Sequence, residues 1–344
     1  MTLVSHTKSN PRVLVLGGNK LPWKASERPH EAGTMTGIES WVYAFGGDYL
    51  CGMDATPSII SKYDIVIGNT NLTFIPHLIT LAESRQQQTK WVALIEGSGT
   101  DYIKPLPGVP QIFDVSDLVI SINKYTTDLF RAMTKTQVEY IGIPFPAETI
   151  RKLSTPIGKR RKEIYLSPFL LNRWSEVFVA RKSKIPYYGV ERRLTRKVKT
   201  LLPSLRKYGT IDPHYFMDKA KKLYGEPTLS IHRESPLEEH FRNEGGAKLW
   251  LNFDERYTWG RNVLDAAALQ VPVISTRSTG HQEDFFPQLL IETPFELEKA
   301  FTLTMRLIND EEFYEEVSTI PLEHFAHLSP EFMRTRLLDI LYRH

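Results

Sequence analysis

Short apolar runs without polar alternation recur along the chain: RVLVLGG from Arg12, DIVIG from Asp64, WVALIEG from Trp91, DLVISI from Asp117, EIYLS from Glu163, KLWLNF from Lys248 and VPVIST from Val271. A strand with one face in water alternates polar and apolar residues, so a run that does not alternate must be covered on both faces. Segments of helical pattern lie between the runs: GIESWVYAFGG, a stretch from about Phe74 to Gln87, TTDLFRAM, RWSEVFVARKS and GRNVLDAAAL. Buried strands alternating with helices predict parallel sheets sandwiched by helices, an α/β class of Rossmann-like type. The paired Gly17 and Gly18 do not form G-x-G-x-x-G, which argues against a dinucleotide oxidoreductase.

The chain has 344 residues, more than the ~250–300 at which one core stops growing. The pattern also restarts after the proline- and lysine-rich IPFPAETIRKLSTPIGKRRK. Two Rossmann-like domains are therefore expected, 1–147 and 148–324, followed by a helix over 325–344 in which Ser329 is the N-cap and Pro330 the first helical residue. Cys51 is the sole cysteine, so no intrachain disulfide forms and a multi-thiolate zinc site is excluded. With no secretory pattern in MTLVSHTKSNPR and no run approaching the ~20 apolar residues of a membrane span, a cytoplasmic protein is expected.

Net charge is +3, yet Lys159 to Lys207 holds fifteen Lys/Arg against three Glu, a local +12 that leaves the remainder at −9. Such a stretch suits a diphosphate, a nucleic-acid backbone or peripheral contact with an anionic membrane, or is simply a solvated face.

The clearest chemistry lies after KLWLNF. A polar loop, DERYTWG, leads into a helix near Gly260, whose unpaired first-turn N–H groups and positive dipole end form an anion site at the carboxyl end of a strand. Arg261 adds positive charge. Asp265 is placed to accept from a ribose diol, or is a solvated helix carboxylate. In the next turn, STRSTGHQEDF, Thr279 and Gly280 let backbone approach a ligand closely, and Glu283 binds ligand or caps the following helix.

The stretch YTWGRNVLDAAALQVPVISTRSTGHQED resembles the C-terminal donor-binding segment of the GT-B glycosyltransferases, in particular the retaining group with an E-x7-E pattern. In that family an acidic residue, a small residue, an aromatic and a glycine precede a helix whose second glutamate binds the ribose of a nucleotide sugar. Thr258, Trp259, Gly260, Asp265, VPVIS, Gly280 and Glu283 take matching places. The departures are Tyr257 for the first glutamate, Asp265 for the second, Gln270 for a small residue and Thr279 for a glycine. FDVSDLVISINKYTTDLFRAM followed by VEYIGIP is similar to the last strand, helix and strand of the family's acceptor domain. A final helix returning to the first domain also fits.

The resemblance implies two Rossmann-like domains facing across a cleft, with nucleotide-sugar donor in the second and acceptor in the first. It implies no metal and no cofactor beyond the nucleotide sugar itself. The sugar would pass to a hydroxyl on a glycan, a lipid-linked intermediate or a modified DNA base. A GT-B-fold protein that binds nucleotide or nucleic acid without transfer is the alternative, and Tyr257 is the residue that favours it. Arg173 and Lys184 resemble in place the basic residues that neutralise the leaving diphosphate. Gly17 and Gly18, with Lys20 beyond them, fit close approach of a ligand to backbone. Glu96, ending WVALI, is placed to orient an acceptor hydroxyl or act as general base, or is a turn carboxylate with no chemical part. Trp259 is expected to pack rather than to stack on ligand.

Overall fold

The computed structural model describes residues 10–18, 37–70, 74–97, 99–102, 106–166, 174–191, 229–233 and 237–343. Arg173, Lys20 and, within the basic stretch, residues 167–173 and 192–207 lie outside them. The chain divides into two compact units. Unit 1 comprises Met1–Thr149, Arg256–Trp259 and Pro321–His344; unit 2 comprises Ile150–Glu255 and Gly260–Ile320.

Unit 1 runs β1 (Val13–Gly17), α1 (Ser40–Phe45), β2 (Asp48–Cys51), α2 (Pro57–Ile60), β3 (Ile65–Asn69), α3 (Ile75–Glu83), β4 (Lys90–Ile95), α4 (Val109–Asp114), β5 (Leu118–Ser121), α5 (Thr127–Arg131) and β6 (Val138–Tyr140). Its sheet is wholly parallel in the order β2-β1-β3-β4-β5-β6. Every residue of β1, β3 and β5 is buried, as uninterrupted apolar runs require. Aspartates pin the amino edge. The Asp64 carboxylate accepts from the Arg12 N–H at 2.9 Å, and Asp117 accepts from the Trp91 N–H at 2.8 Å while pairing with Arg85 and Lys90. Each acid just before a strand thus satisfies a neighbouring strand's first amide.

The helix α6 (Ala147–Arg151) leads into unit 2, with β7 (Arg161–Leu166), α7 (Trp174–Lys182), β8 (Tyr187–Glu191), β9 (Leu229–Arg233), α8 (Leu237–Gly245), β10 (Ala247–Asn252), α9 (Arg261–Ala268), β11 (Val273–Thr276), α10 (Gln282–Phe285), β12 (Leu290–Ile291), α11 (Leu297–Asn309) and α12 (Glu311–Ser318). This sheet is also parallel, ordered β12-β11-β10-β7-β8-β9. The last helix, α13 (Pro330–Tyr342), belongs to unit 1 and packs on α1. Ser329 caps it, its hydroxyl accepting from the Phe332 N–H at 3.2 Å. Arg336 donates to the Tyr140 carbonyl at 2.8 Å, and Arg334 lies over the Phe45 ring. No helix among the described residues is long and apolar enough to cross a membrane.

One arginine fixes the helix on which the candidate donor loop depends. Arg151 donates from Nε to the Ala268 carbonyl at 2.5 Å and from Nη2 to the Ile320 carbonyl at 2.8 Å, so it caps the carboxyl end of α9. Arg151→Met keeps the aliphatic stem and strands those carbonyls. It is expected to lower stability by about 1–3 kcal/mol, read as a lower urea midpoint with unchanged slope.

Candidate functional site

With the strands filled by apolar residues, polar side chains gather where strands end. In unit 1 these are Asn69 at the end of β3, Glu96 after β4, and Ser121 and Asn123 at and after β5; in unit 2 they are Asn252 on β10 and Ser275 and Thr276 on β11. All lie on the carboxyl edge of a parallel sheet, where α/β proteins bind ligands.

Glu96 is the chemically notable group of unit 1. Asn69 Nδ2 donates to its Oε2, the Ile38 N–H also hydrogen-bonds it, and the absence of a side chain at Gly37 leaves room for its Oε1. Burial, and then the nearby Glu39 carboxylate, push its pKa up from 4.5 to about 7 against the lowering effect of those two hydrogen bonds. A carboxyl in that range exchanges protons at neutral pH. Asn69 Oδ1 is buried without a partner among the described residues. Gly17 ends β1 under Tyr49, whose hydroxyl occupies the space a Cβ would need, so its smallness serves internal packing; Gly18 follows it directly.

The loop expected to cup the donor sugar divides between the units. Arg256–Trp259 belongs to unit 1. The Gly99 N–H donates to the Tyr257 carbonyl at 3.0 Å and the Thr100 N–H to the Arg256 carbonyl at 3.4 Å. Asn123 Nδ2 donates to the Thr258 carbonyl at 2.6 Å. Tyr257 has the left-handed φ of 52° and meets Tyr125 with ring centroids 6.1 Å apart. Trp259 is buried against Phe145, the packing role expected for it.

In unit 2, Gly260 is the N-cap of α9 with φ 83°, and a Cβ there would land on the Gly280 carbonyl. The two glycines therefore let the loops after β10 and β11 touch backbone to backbone. The Asp254 carbonyl accepts from Thr276, from Ser278 at 2.5 Å and from Thr279 at 3.4 Å, which closes the turn. Asp265 is buried in α9 and pairs with Arg261, Nε to Oδ1 at 2.7 Å. Burial pushes its carboxyl up and Arg261 pulls it back. Glu283, in the first turn of α10, pairs with Arg277, which also grips Glu292 with two bonds at 2.6 and 2.7 Å.

Tyr257 and Thr258 thus gather in unit 1, and Gly260, Arg261, Asp265, Thr279, Gly280 and Glu283 in unit 2. Lys184 joins neither group. It follows α7 on the way into β8, which in a parallel unit is the amino edge, opposite the carboxyl ends of the strands; sequence does not say which end of a helix faces that edge. Sequence reasoning also passed over Glu176, buried on α7, whose Oε1 accepts from the Phe253 N–H at 2.5 Å and holds the end of β10. It missed as well the buried Glu244, held by His240 Nδ1 at 2.8 Å and kept above the ordinary carboxylate range by burial. The i,i+4 spacing of His240 and Glu244 in α8 was the available signal.

An alpha-glucosyltransferase in complex with UDP and a 13-mer DNA containing a HMU base has a similar structure, at TM-score 0.63 and 12% identity over 96% of this chain and 99% of that one. The fold is GT-B. A UDP-forming trehalose-phosphate synthase from Burkholderia xenovorans is also similar, at TM-score 0.61 and 11% identity over 83% of this chain and 75% of that one. So is a sucrose-phosphate synthase from Thermosynechococcus elongatus, at TM-score 0.59 and 16% identity over 82% and 73%. No family model and no curated protein sequence matches the chain. Within this GT-B fold the helix start at Gly260 and the turn at Gly280 come from the stretch whose sequence carried the resemblance.

The raised pKa of Glu96 gives a test in stability. Between its ordinary 4.5 and its folded value of about 7 the folded chain holds one proton more than the unfolded chain. Stability from this group is then complete below about pH 4.5 and lost as pH rises through about 7. Glu96→Gln should flatten that fall by on the order of 2–3 kcal/mol. Urea denaturation of both proteins across this range checks it; parallel pH profiles would place the titration elsewhere.

Proposed function

We propose that the chain is a glycosyltransferase that binds a UDP-sugar in unit 2 and transfers the sugar to a hydroxyl on DNA held by unit 1. The observation that carries this reading is the backbone contact of Gly260 with Gly280 at the carboxyl edge of the unit 2 sheet. It sets the amino end of α9 beside a hydroxyl-rich turn, a suitable cradle for a diphosphate. UDP in the similar glucosyltransferase supports the choice of nucleotide, and the DNA beside it supports the acceptor. The +12 stretch belongs to unit 2 and suits the donor's diphosphate, although Arg161 and Lys182 within it are paired with Glu163 and Glu298. The lone cysteine, Cys51, fits a cytoplasmic site of action.

In the reaction the acceptor oxygen bonds to the anomeric carbon as the bond from that carbon to the diphosphate oxygen breaks, and UDP leaves with the electron pair. Amides of the first turn of α9 stabilise the charge gathering on the diphosphate, with Arg173 as the proposed cationic partner. Asp265 accepts from the ribose, Thr279 and Gly280 line the phosphates, and Glu283 holds sugar hydroxyls. Glu96 takes or orients the acceptor proton, for which its pKa of about 7 is suited.

UDP at large excess over its Kd is expected to stabilise the wild type by ~3–4 kcal/mol in a thermal-shift assay, and UDP-glucose should be slowly hydrolysed. Absence of both responses would remove the transferase reading. Asp265→Ala should weaken UDP and UDP-sugar alike by about 1–3 kcal/mol; unchanged affinity in the folded variant would take Asp265 out of the site. A second reading, a binding protein without transfer, is favoured by the phenol at Tyr257. It predicts the UDP shift with neither hydrolysis nor transfer.

A further inference from the structure

We infer that Tyr125 and Tyr257 of unit 1 form an aromatic platform on which an unstacked nucleobase of the acceptor DNA rests. The inference depends on the reading of DNA as acceptor and names the residues that would hold it.

Single exposed aromatics are common, but these two are 38% and 40% exposed and adjacent, so they form one aromatic patch. Their planes meet at 71°, so the faces point in different directions and form a corner rather than a closed stack. Lys124 Nζ lies over one face of the Tyr125 ring, 5.1 Å from its centroid, so a cation for a phosphate sits beside the corner and a base would rest on the other face. Arrangements of this kind, rings for bases and a cation for the backbone, bind unpaired nucleotides without reading sequence.

The corner is rigidly built. A single side chain fixes both tyrosine segments: Asn123 Oδ1 accepts from the Tyr125 N–H at 2.9 Å, and Asn123 Nδ2 donates to the Thr258 carbonyl at 2.6 Å. Gly99 donates to the Tyr257 carbonyl, and a Cβ on Gly99 would press on Tyr257 Cβ and Thr126. Tyr257 stays in a left-handed conformation that costs a non-glycine residue energy. The edge-to-face contact holds the two rings in place while leaving each part-exposed, as a surface that meets a flat ligand requires.

The test uses the full chain and a short duplex carrying one mismatched pair, whose base is readily extruded, against the same duplex with an abasic site there. Wild type should prefer the base-bearing duplex by about tenfold or more, at fixed moderate salt. Tyr125→Leu and Tyr257→Asn, the latter chosen because asparagine tolerates a left-handed backbone, should each erase most of that preference. Tyr257→Trp should keep it. The UDP thermal shift should be the same in wild type and Tyr125→Leu, since the proposed donor site lies in unit 2. Equal binding of base-bearing and abasic duplexes by wild type overturns the platform, as does a preference that survives Tyr125→Leu. Transfer of sugar to a glycan with no DNA binding overturns it too while leaving the transferase reading in place. Absence of a UDP shift in wild type, with the base preference intact, would defeat the transferase reading and leave the platform as a nucleobase-binding surface; loss of the shift in Tyr125→Leu would overturn the platform.

Discussion

A strand covered on both faces has no place for a polar side chain except at its ends, and both units follow from that constraint. Parallel strands with helical crossovers put every carboxyl end on one edge. The hydrogen-bonding groups of this protein collect there because burial elsewhere would leave them unpaired. Asn69, Glu96, Ser121 and Asn123 in unit 1 correspond in this sense to Asn252, Asp254 and Thr276 in unit 2. The amino edges carry the opposite chemistry, acids such as Asp64 and Asp117 that satisfy first amides and touch no ligand edge.

Once the edge is set, side chains behind it decide how tightly loops are held. Glu176 fixes the end of β10 and Arg151 the far end of α9, while Gly260 and Gly280 bring the two loops into contact. Asp265 sits in that helix already paired with Arg261, so a ribose proposed to bind there would share the carboxylate or displace the guanidinium. That competition favours a ligand bringing hydroxyls over one bringing negative charge to the same spot, since a second anion would find Asp265 against it.

Legibility followed burial. The sequence runs at Val13, Ile65, Trp91, Leu118, Leu249 and Val273 all lie in strands, because a doubly covered strand writes its environment directly into composition. The strands β2 and β8 were not read. DYLC is a short edge strand only partly buried, and YYGVE lies in a basic stretch where charge obscures the pattern. At the site, positions defined by backbone were legible, such as the helix start at Gly260 and the cap at Ser329. Positions defined by which end of a helix faces the ligand edge were not, and Lys184 is the instance. Glu176 and Glu244 escaped because a buried carboxylate looks in sequence like any solvated one.

Tyr257 shows why a motif position cannot be interpreted from its neighbours in the chain alone. Three residues before Gly260 it is itself left-handed, as Gly260 is, so the chain bends twice within four residues. The bends send the carbonyls of 256 to 258 to Gly99, Thr100 and Asn123, all in unit 1, while Gly260 onward stays with the unit 2 sheet. In a pattern aligned on the glycine, position 257 is where the resembling family keeps a glutamate for the donor. Here its main chain is bonded to unit 1 and its ring is paired with Tyr125. A carboxylate in its place would lose the edge-to-face contact with that ring. The replacement of glutamate by tyrosine is thus consistent with the surface it lies on, and its meaning belongs to the chemistry of unit 1.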